Sequence, residues 1–173
     1  NVLSLPSISK KYRVYNNSEK FLERVSYKMT LISCCIINKD ILGPVDTNRF
    51  CGNNLVQVHL FLLAALKAKQ NLFINSYFIA AKRNNSGGYD FSTVFVTNYF
   101  SILDSYESFG LSKNTVINIE NNMVIAHFPY RLYMIRKKCE ESIEDVYKIF
   151  NKRFEKKILF KIFLVPILTL CRP

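Results

Sequence analysis

Met29–Ile37, MTLISCCII, is a nine-residue apolar run with β-branched members at Thr30, Ile32, Ile36 and Ile37. Its length and continuity predict a strand buried on both faces, the kind found in a parallel sheet under helices. It ends on the polar tip Asn38-Lys39-Asp40. Upstream, Ser18 is placed to cap a short helix over Glu19–Tyr27, with Phe21, Leu22 and Val25 on one face. Downstream, Gly43-Pro44 signals a turn, and Val45–Cys51 reads as a second short strand or an extended loop. Gly52-Asn53-Asn54 then breaks the chain. Leu55–Lys69 reads as a helix with a stripe of Leu55, Val58, Leu62, Ala65 and Leu66. Leu60, Phe61 and Leu63 wrap the rest of its circumference, so it is expected to be largely buried. Helix, buried strand, turn, short strand and buried helix in that order predict an α/β unit.

The remainder reads as an α+β extension. Phe73–Lys82 is compatible with strand or helix, and Asn84–Gly88 is a loop. Phe91–Leu103, rich in Thr, Val, Phe and Tyr, favours a strand. After a turn at Gly110–Asn114, two short apolar runs in Val116–Phe128 flank Asn121-Asn122 and suggest a hairpin closed by Pro129. Ser142–Lys157 is a helix opened by Ser142 and Asp145. Its apolar stripe is Ile143, Val146, Tyr147, Phe150, Phe154 and Ile158, with Lys148, Lys152, Arg153 and Lys156 on the other faces. The expected division is therefore 1–73 and 74–173.

Composition narrows the function. The chain has 173 residues, 49% hydrophobic and 14% aromatic, which excludes a disordered polar chain. Lys and Arg number 24 against 13 acids, a net charge of +11. With no acidic block to balance it, that charge points to an anionic partner. The cations cluster at Lys10, Lys11 and Arg13, at Lys82 and Arg83, at Arg131, Arg136, Lys137 and Lys138, and from Lys148 to Lys161. Tyr12, Tyr15, Tyr130, Tyr133, Phe150 and Phe154 are interleaved. Cations neutralise phosphates and aromatics stack on unpaired bases, although aromatics at helical spacing are more often core.

Catalysis has little support. His59 lies within an almost wholly apolar helix and reads as a core histidine, and Ser33, Cys34 and Cys35 have no base nearby in sequence. Neither a Gly-rich phosphate loop nor a Cys-x-x-Cys pair occurs. A zinc site from Cys34, Cys51 and His59 has the wrong spacing for a zinc knuckle. The five cysteines, irregularly spaced, read as free, mostly buried thiols in a reducing compartment. No metal, cofactor or small-molecule substrate is expected. The N-terminal segment lacks the order of a secretory signal, and no run reaches about 18 apolar residues. Ile158–Cys171 comes nearest, but Lys161 and Pro166 interrupt it, so it reads as a buried or partner-facing segment.

The stretch from about Asn17 to Lys69 resembles the C-terminal half of the small-subunit ribosomal protein two family, which includes the laminin-receptor-precursor proteins. NNSEKFLERVSYKM looks like the helix before that family's late strand, and TLISCCIINKD like the strand itself. VDTNRFCGNN resembles its Val-Asp followed by a Cys-Asn-Asn or Gly-Asn-Asp step, and LVQVHLFLLAALKAK the helix that follows. Asn38, Asp40, Val45, Asp46, Cys51, Gly52, Asn53 and Asn54 carry the resemblance. Three departures stand against this. The family's first half is absent, Thr47-Asn48-Arg49 is more polar than the family's sequence, and the last hundred or so residues match nothing in the family.

The resemblance implies a partial flavodoxin-like parallel sheet, with a second chain completing its exposed edge. It implies a divergent organellar protein without catalytic role: a structural constituent of a small ribosomal subunit, mitochondrial, contacting rRNA and neighbouring ribosomal proteins. The residues expected at RNA are Lys10, Lys11, Arg13, Arg49, Asn53, Lys82, Arg83, Arg131, Arg136, Lys137, Lys138, Lys152 and Arg153. The alternative is a membrane-associated subunit of an organellar complex, anchored by the apolar C-terminal segment. A third, enzymatic reading would rest on Cys34, Cys35 or Cys51 as nucleophile.

Overall fold

The computed structural model describes residues 12–45, 50, 52, 54–76 and 89–170. The protein is mostly helical with a small sheet, α/β in the broad sense. Strands β1 (Tyr12–Tyr15) and β2 (Asn71–Ile74) pair antiparallel, with Tyr12 opposite Ile74 and Tyr15 opposite Asn71. No parallel sheet occurs among the described residues.

Helix α1 (Ser18–Val25) forms where the apolar spacing predicts it. Asn17, rather than Ser18, caps it: Asn17 Oδ1 accepts from the Lys20 amide at 2.9 Å. Phe21, Leu22 and Val25 are buried. The backbone then enters a 3₁₀ turn, Ser26–Thr30, with Ser26 at φ 48° and ψ −135°. The run that suggested a buried strand is not one. Met29 is buried at the end of that turn, a second 3₁₀ turn takes Ile32–Cys34, and Leu31, Ile32 and Ile36 face solvent. Strand propensity in this run meets no pairing partner among the described residues, so the amides turn locally: Cys34 N donates to Leu31 O at 2.9 Å.

A short helix, α2 (Lys39–Leu42), is capped by Asn38. Helix α3 (Val56–Lys67) is buried around most of its circumference, as its composition requires. The rest of Val45–Cys51 and of Phe73–Lys82, and the Asn84–Gly88 loop, lie largely or wholly outside the described residues.

The strand expected at Phe91–Leu103 and the hairpin expected at Val116–Phe128 are both helical. Thr93–Asn98 is a π-helical stretch continuing into α4 (Tyr99–Ser105), and α5 (Lys113–Asn122) runs through π-helical Met123–His127 into α6 (Phe128–Lys138). Helix α7 (Ile143–Phe154) is capped by Ser142, and π-helical Phe160–Leu164 leads into α8 (Val165–Thr169). Of the three π stretches among the described residues, two run straight into a helix carrying proline in its first turn, Pro129 and Pro166. Proline has no amide proton and its ring crowds the carbonyl four residues back, so a wider turn relieves the clash without ending the helix.

One hydrophobic cluster extends from Phe21 to Leu168 and spans the expected boundary at residue 73. Helix α1 packs against α5, and across this contact Glu19 Oε1 accepts from the Ser112 amide at 2.8 Å. The centre is aromatic. Phe128 meets Phe150 edge-on at 5.0 Å, and Phe100 meets Phe154 edge-on at 5.7 Å.

Candidate nucleic-acid interface

The same periodicity that buries Phe21, Leu22 and Val25 turns Lys20 and Arg24 outward, and Lys28 follows on the 3₁₀ turn. An open groove of about 850 Å³ lies along this face. β1 supplies Arg13 and Tyr15. α1 and the turn supply Lys20, Arg24, Tyr27 and Lys28, and Asn122 contributes from the end of α5. The single acid lining it is Glu23, which is engaged by Lys20 Nζ at 3.1 Å and by Asn118 Nδ2 at 2.7 Å. Arg13, Arg24 and Lys28 have no carboxylate within ion-pair distance among the described residues.

Aromatic rings hold these cations in place. The Arg13 guanidinium lies 5.5 Å from the Tyr15 centroid, Arg24 4.9 Å from Phe73, and Lys28 Nζ 5.2 Å from Tyr27. The Lys28 pKa is lowered, first by burial of its stem and then by the Arg24 charge. Both effects disfavour the ammonium as it stands, and an arriving anion would reverse the second. Behind Tyr27, His127 stacks at 3.8 Å and 16°. Burial, with help from Arg131 and Lys28, pushes His127 down to about 4, so it is neutral at physiological pH. Two buried polar atoms in this region, Ser26 Oγ and His127 Nε2, have no hydrogen-bond partner. A second depression, of about 840 Å³, is lined by Asn16, Lys67 and Lys69, and Asn16 also lines the first.

Of the residues expected at RNA, Arg13 is in the groove. Lys137 and Lys152 are exposed, and Lys138 is exposed but lies 3.4 Å from Glu140. Lys10, Lys11, Arg49, Asn53, Lys82 and Arg83 lie outside the described residues. The other three arginines have internal engagements. Arg131 pairs with Glu140 at 3.0 Å and covers the Phe91 ring at 5.1 Å. Arg136 Nη1 donates to the Leu168 carbonyl at 2.5 Å, tying α6 to α8. Arg153 donates to both Asp104 oxygens, at 2.5 and 2.9 Å, and to Glu120 at 2.7 Å. Lys157 completes that network on Glu120 at 2.5 Å. The hydrogen bonds to Asp104 and the Glu120 charge raise the Arg153 pKa further, so its charge is permanent and internally neutralised.

Sequence reasoning missed Lys20, Arg24 and Lys28. Their spacing of four is the signal: it places cations on one face of the helix whose other face was read from Phe21, Leu22 and Val25.

Elsewhere, acids and rings make local hydrogen bonds and stacks. Glu141 accepts from the Phe91 and Ser92 amides at 2.7 and 3.3 Å, and Asp90 accepts from Ser92 and Thr93. Burial opposes the Asp90 charge, but these hydrogen bonds outweigh it and hold Asp90 at about 2. Burial and the neighbouring Asp90 raise Glu141. Cys35 is pushed up to about 11, by burial and then by Cys34, which keeps it a thiol rather than the reactive thiolate. His59 stacks on Phe50 at 4.4 Å, with Nδ1 3.3 Å from the Tyr106 hydroxyl. Among the described residues no group of His, Cys, Asp and Glu is arranged to hold a metal ion. Compared with protein families, curated proteins and solved structures, the chain finds no match.

Proposed function

We propose that the chain is a non-catalytic, RNA-binding constituent of a small ribosomal subunit, mitochondrial, that packs between rRNA and neighbouring ribosomal proteins. The observation that supports this is the groove, where Arg13, Arg24 and Lys28 stand beside Tyr15 and Tyr27 with no carboxylate among the described residues at ion-pair distance. A polyanion supplies the missing counter-charge, and its binding releases condensed counterions. The protein-facing side is the C-terminal segment, where Ile158, Ile162, Phe163 and Leu170 are exposed. Apolar residues exposed together suit the core of a protein contact. For the membrane-anchored alternative, no helix among the described residues is long and apolar enough to cross a bilayer.

Sedimentation in moderate salt tests the reading. The native protein is expected in ribosomal particles, and the triple variant Arg13→Gln, Arg24→Gln, Lys28→Gln is expected at the top of the gradient. A native protein found only as a free monomer would end the proposal.

A further inference from the structure

We infer that the groove along β1, α1 and the Ser26–Thr30 turn takes an unpaired stretch of RNA, with Arg24 and Lys28 on a phosphodiester and Tyr27 against a base. This deepens the RNA-binding reading and rests on it. A basic surface alone would hold any nucleic acid, duplex included, because phosphates carry no information about strandedness. The aromatic content makes the difference. Bases in an A-form helix are stacked inside it and inaccessible to a ring in a groove, whereas an unpaired base presents its face.

Three features favour an unpaired base here. Tyr27 lines the groove and is braced from behind by His127 at 3.8 Å and 16°, so its plane is set before a ligand arrives. Lys28 Nζ lies over that ring, 5.2 Å from its centroid, so a phosphate that draws the ammonium aside uncovers the ring for the adjoining base. Asn16, Asn17 and Asn122 line the same groove; the Asn17 and Asn16 oxygens accept from the Lys20 amide and from Gln70, and their Nδ2 groups are donors for exposed base edges.

The backbone at Ser26 is an independent mark. Its φ of 48° with ψ of −135° is a conformation L side chains rarely adopt, its side chain is buried, and its Oγ has no partner. Such strain persists where the surroundings require it and is concentrated at binding sites. Here the kink ends α1 and sends Tyr27 and Lys28 along the groove wall, not around the helix.

The experiment is a fluorescence titration of the full chain with a labelled oligouridylate, a labelled hairpin duplex of equal charge, and phosphatidylserine vesicles. Tyr27→Leu is expected to weaken oligouridylate binding roughly 5- to 100-fold and to leave the duplex unchanged, since base–aromatic stacking carries that much. Tyr27→Phe keeps the ring and is expected to bind as the native chain, which separates loss of stacking from loss of folding. Arg24→Gln with Lys28→Gln is expected to weaken both RNAs and to reduce the single-strand salt slope by about 0.7 per phosphate contact removed. Equal losses on both RNAs from Tyr27→Leu, no loss on either, or a preference for the vesicles would each overturn the inference. If the native chain co-sediments with ribosomal particles while the groove variants bind oligouridylate normally, the groove fails and the ribosomal reading stands. Oligouridylate binding that depends on Tyr27, without co-sedimentation, is the reverse case.

Discussion

Two regions of this protein carry cations at helical spacing, and they meet opposite surroundings. On α1 and its following turn, Lys20, Arg24 and Lys28 look outward over a groove whose one acid, Glu23, is already engaged. On and just beyond α7, Arg153 and Lys157 turn inward onto Asp104 from α4 and Glu120 from α5, and Arg153 lies over the Phe100 ring at 5.1 Å. Lys148, on the same helix, is paired with Glu144 at 3.0 Å. A positive residue marks a polyanion site only where tertiary structure brings it no carboxylate, so a count of charges along the chain cannot separate the two regions.

The contrast is sharpest in stability. Arg153→Met leaves Glu120, whose side chain is 6% exposed, and Asp104 short of a partner. Breaking fully buried pairs costs about 3–5 kcal/mol. Asp104 stays 41% exposed and Lys157 still holds Glu120, so a loss of about 2–3 kcal/mol is expected in urea unfolding. RNA affinity of the folded variant should not change. A variant as stable as the parent but weakened in RNA binding would erase the distinction between the regions.

The converse variant is Arg24→Gln with Lys28→Gln. Affinity for RNA is expected to fall roughly 10-fold or more at moderate salt. Stability is expected to change by no more than about 1 kcal/mol, the scale of an exposed cation–π contact such as Arg24 on Phe73. A large destabilisation would make these cations part of the fold and not of a site.

His127, beneath the groove, gives a pH signature. Its folded pKa lies near 4, below the 6.5 of the unfolded chain. Between these values the unfolded state binds more protons, so this contribution is fully present above 6.5 and is lost as pH falls towards 4. Thermal melts of the native chain and His127→Phe across that window should diverge, with the native chain losing more. Parallel curves would show that burial does not hold this ring neutral. The smallest effect belongs to Ser26. Ser26→Gly removes the side chain that dislikes a positive φ and is expected to raise stability by about 1 kcal/mol; a lower melting temperature would remove the strain assigned to this turn.

Helices α1, α3 and α7 are legible because each shows an apolar stripe or a buried circumference, and Ser142 caps the last as read, whereas α1 is capped one residue earlier, by Asn17 instead of Ser18. Phe91–Leu103 and Val116–Phe128 were not. Their Thr, Val, Ile, Phe and Tyr favour strands locally, yet Phe91, Val94, Val96, Tyr99, Phe100, Ile102 and Leu103 are all buried within a helical assembly. A continuous apolar run is compatible with a buried strand or a buried helix, and periodicity cannot decide between them. MTLISCCII failed differently. Its propensity is real, but a strand requires a neighbour to receive its amides, and none is adjacent among the described residues.

The amino-acid order alone determined the excess positive charge, the amphipathic helices and the Ser142 cap of α7, since these depend on residue type and on neighbours within four positions. Which cations remain available to a ligand, and which apolar runs become helix, only the tertiary structure decided. Both depend on partners far along the chain: Arg153 is 33 residues from Glu120 and 49 from Asp104, and Tyr27 is braced by a histidine from the other half of the molecule.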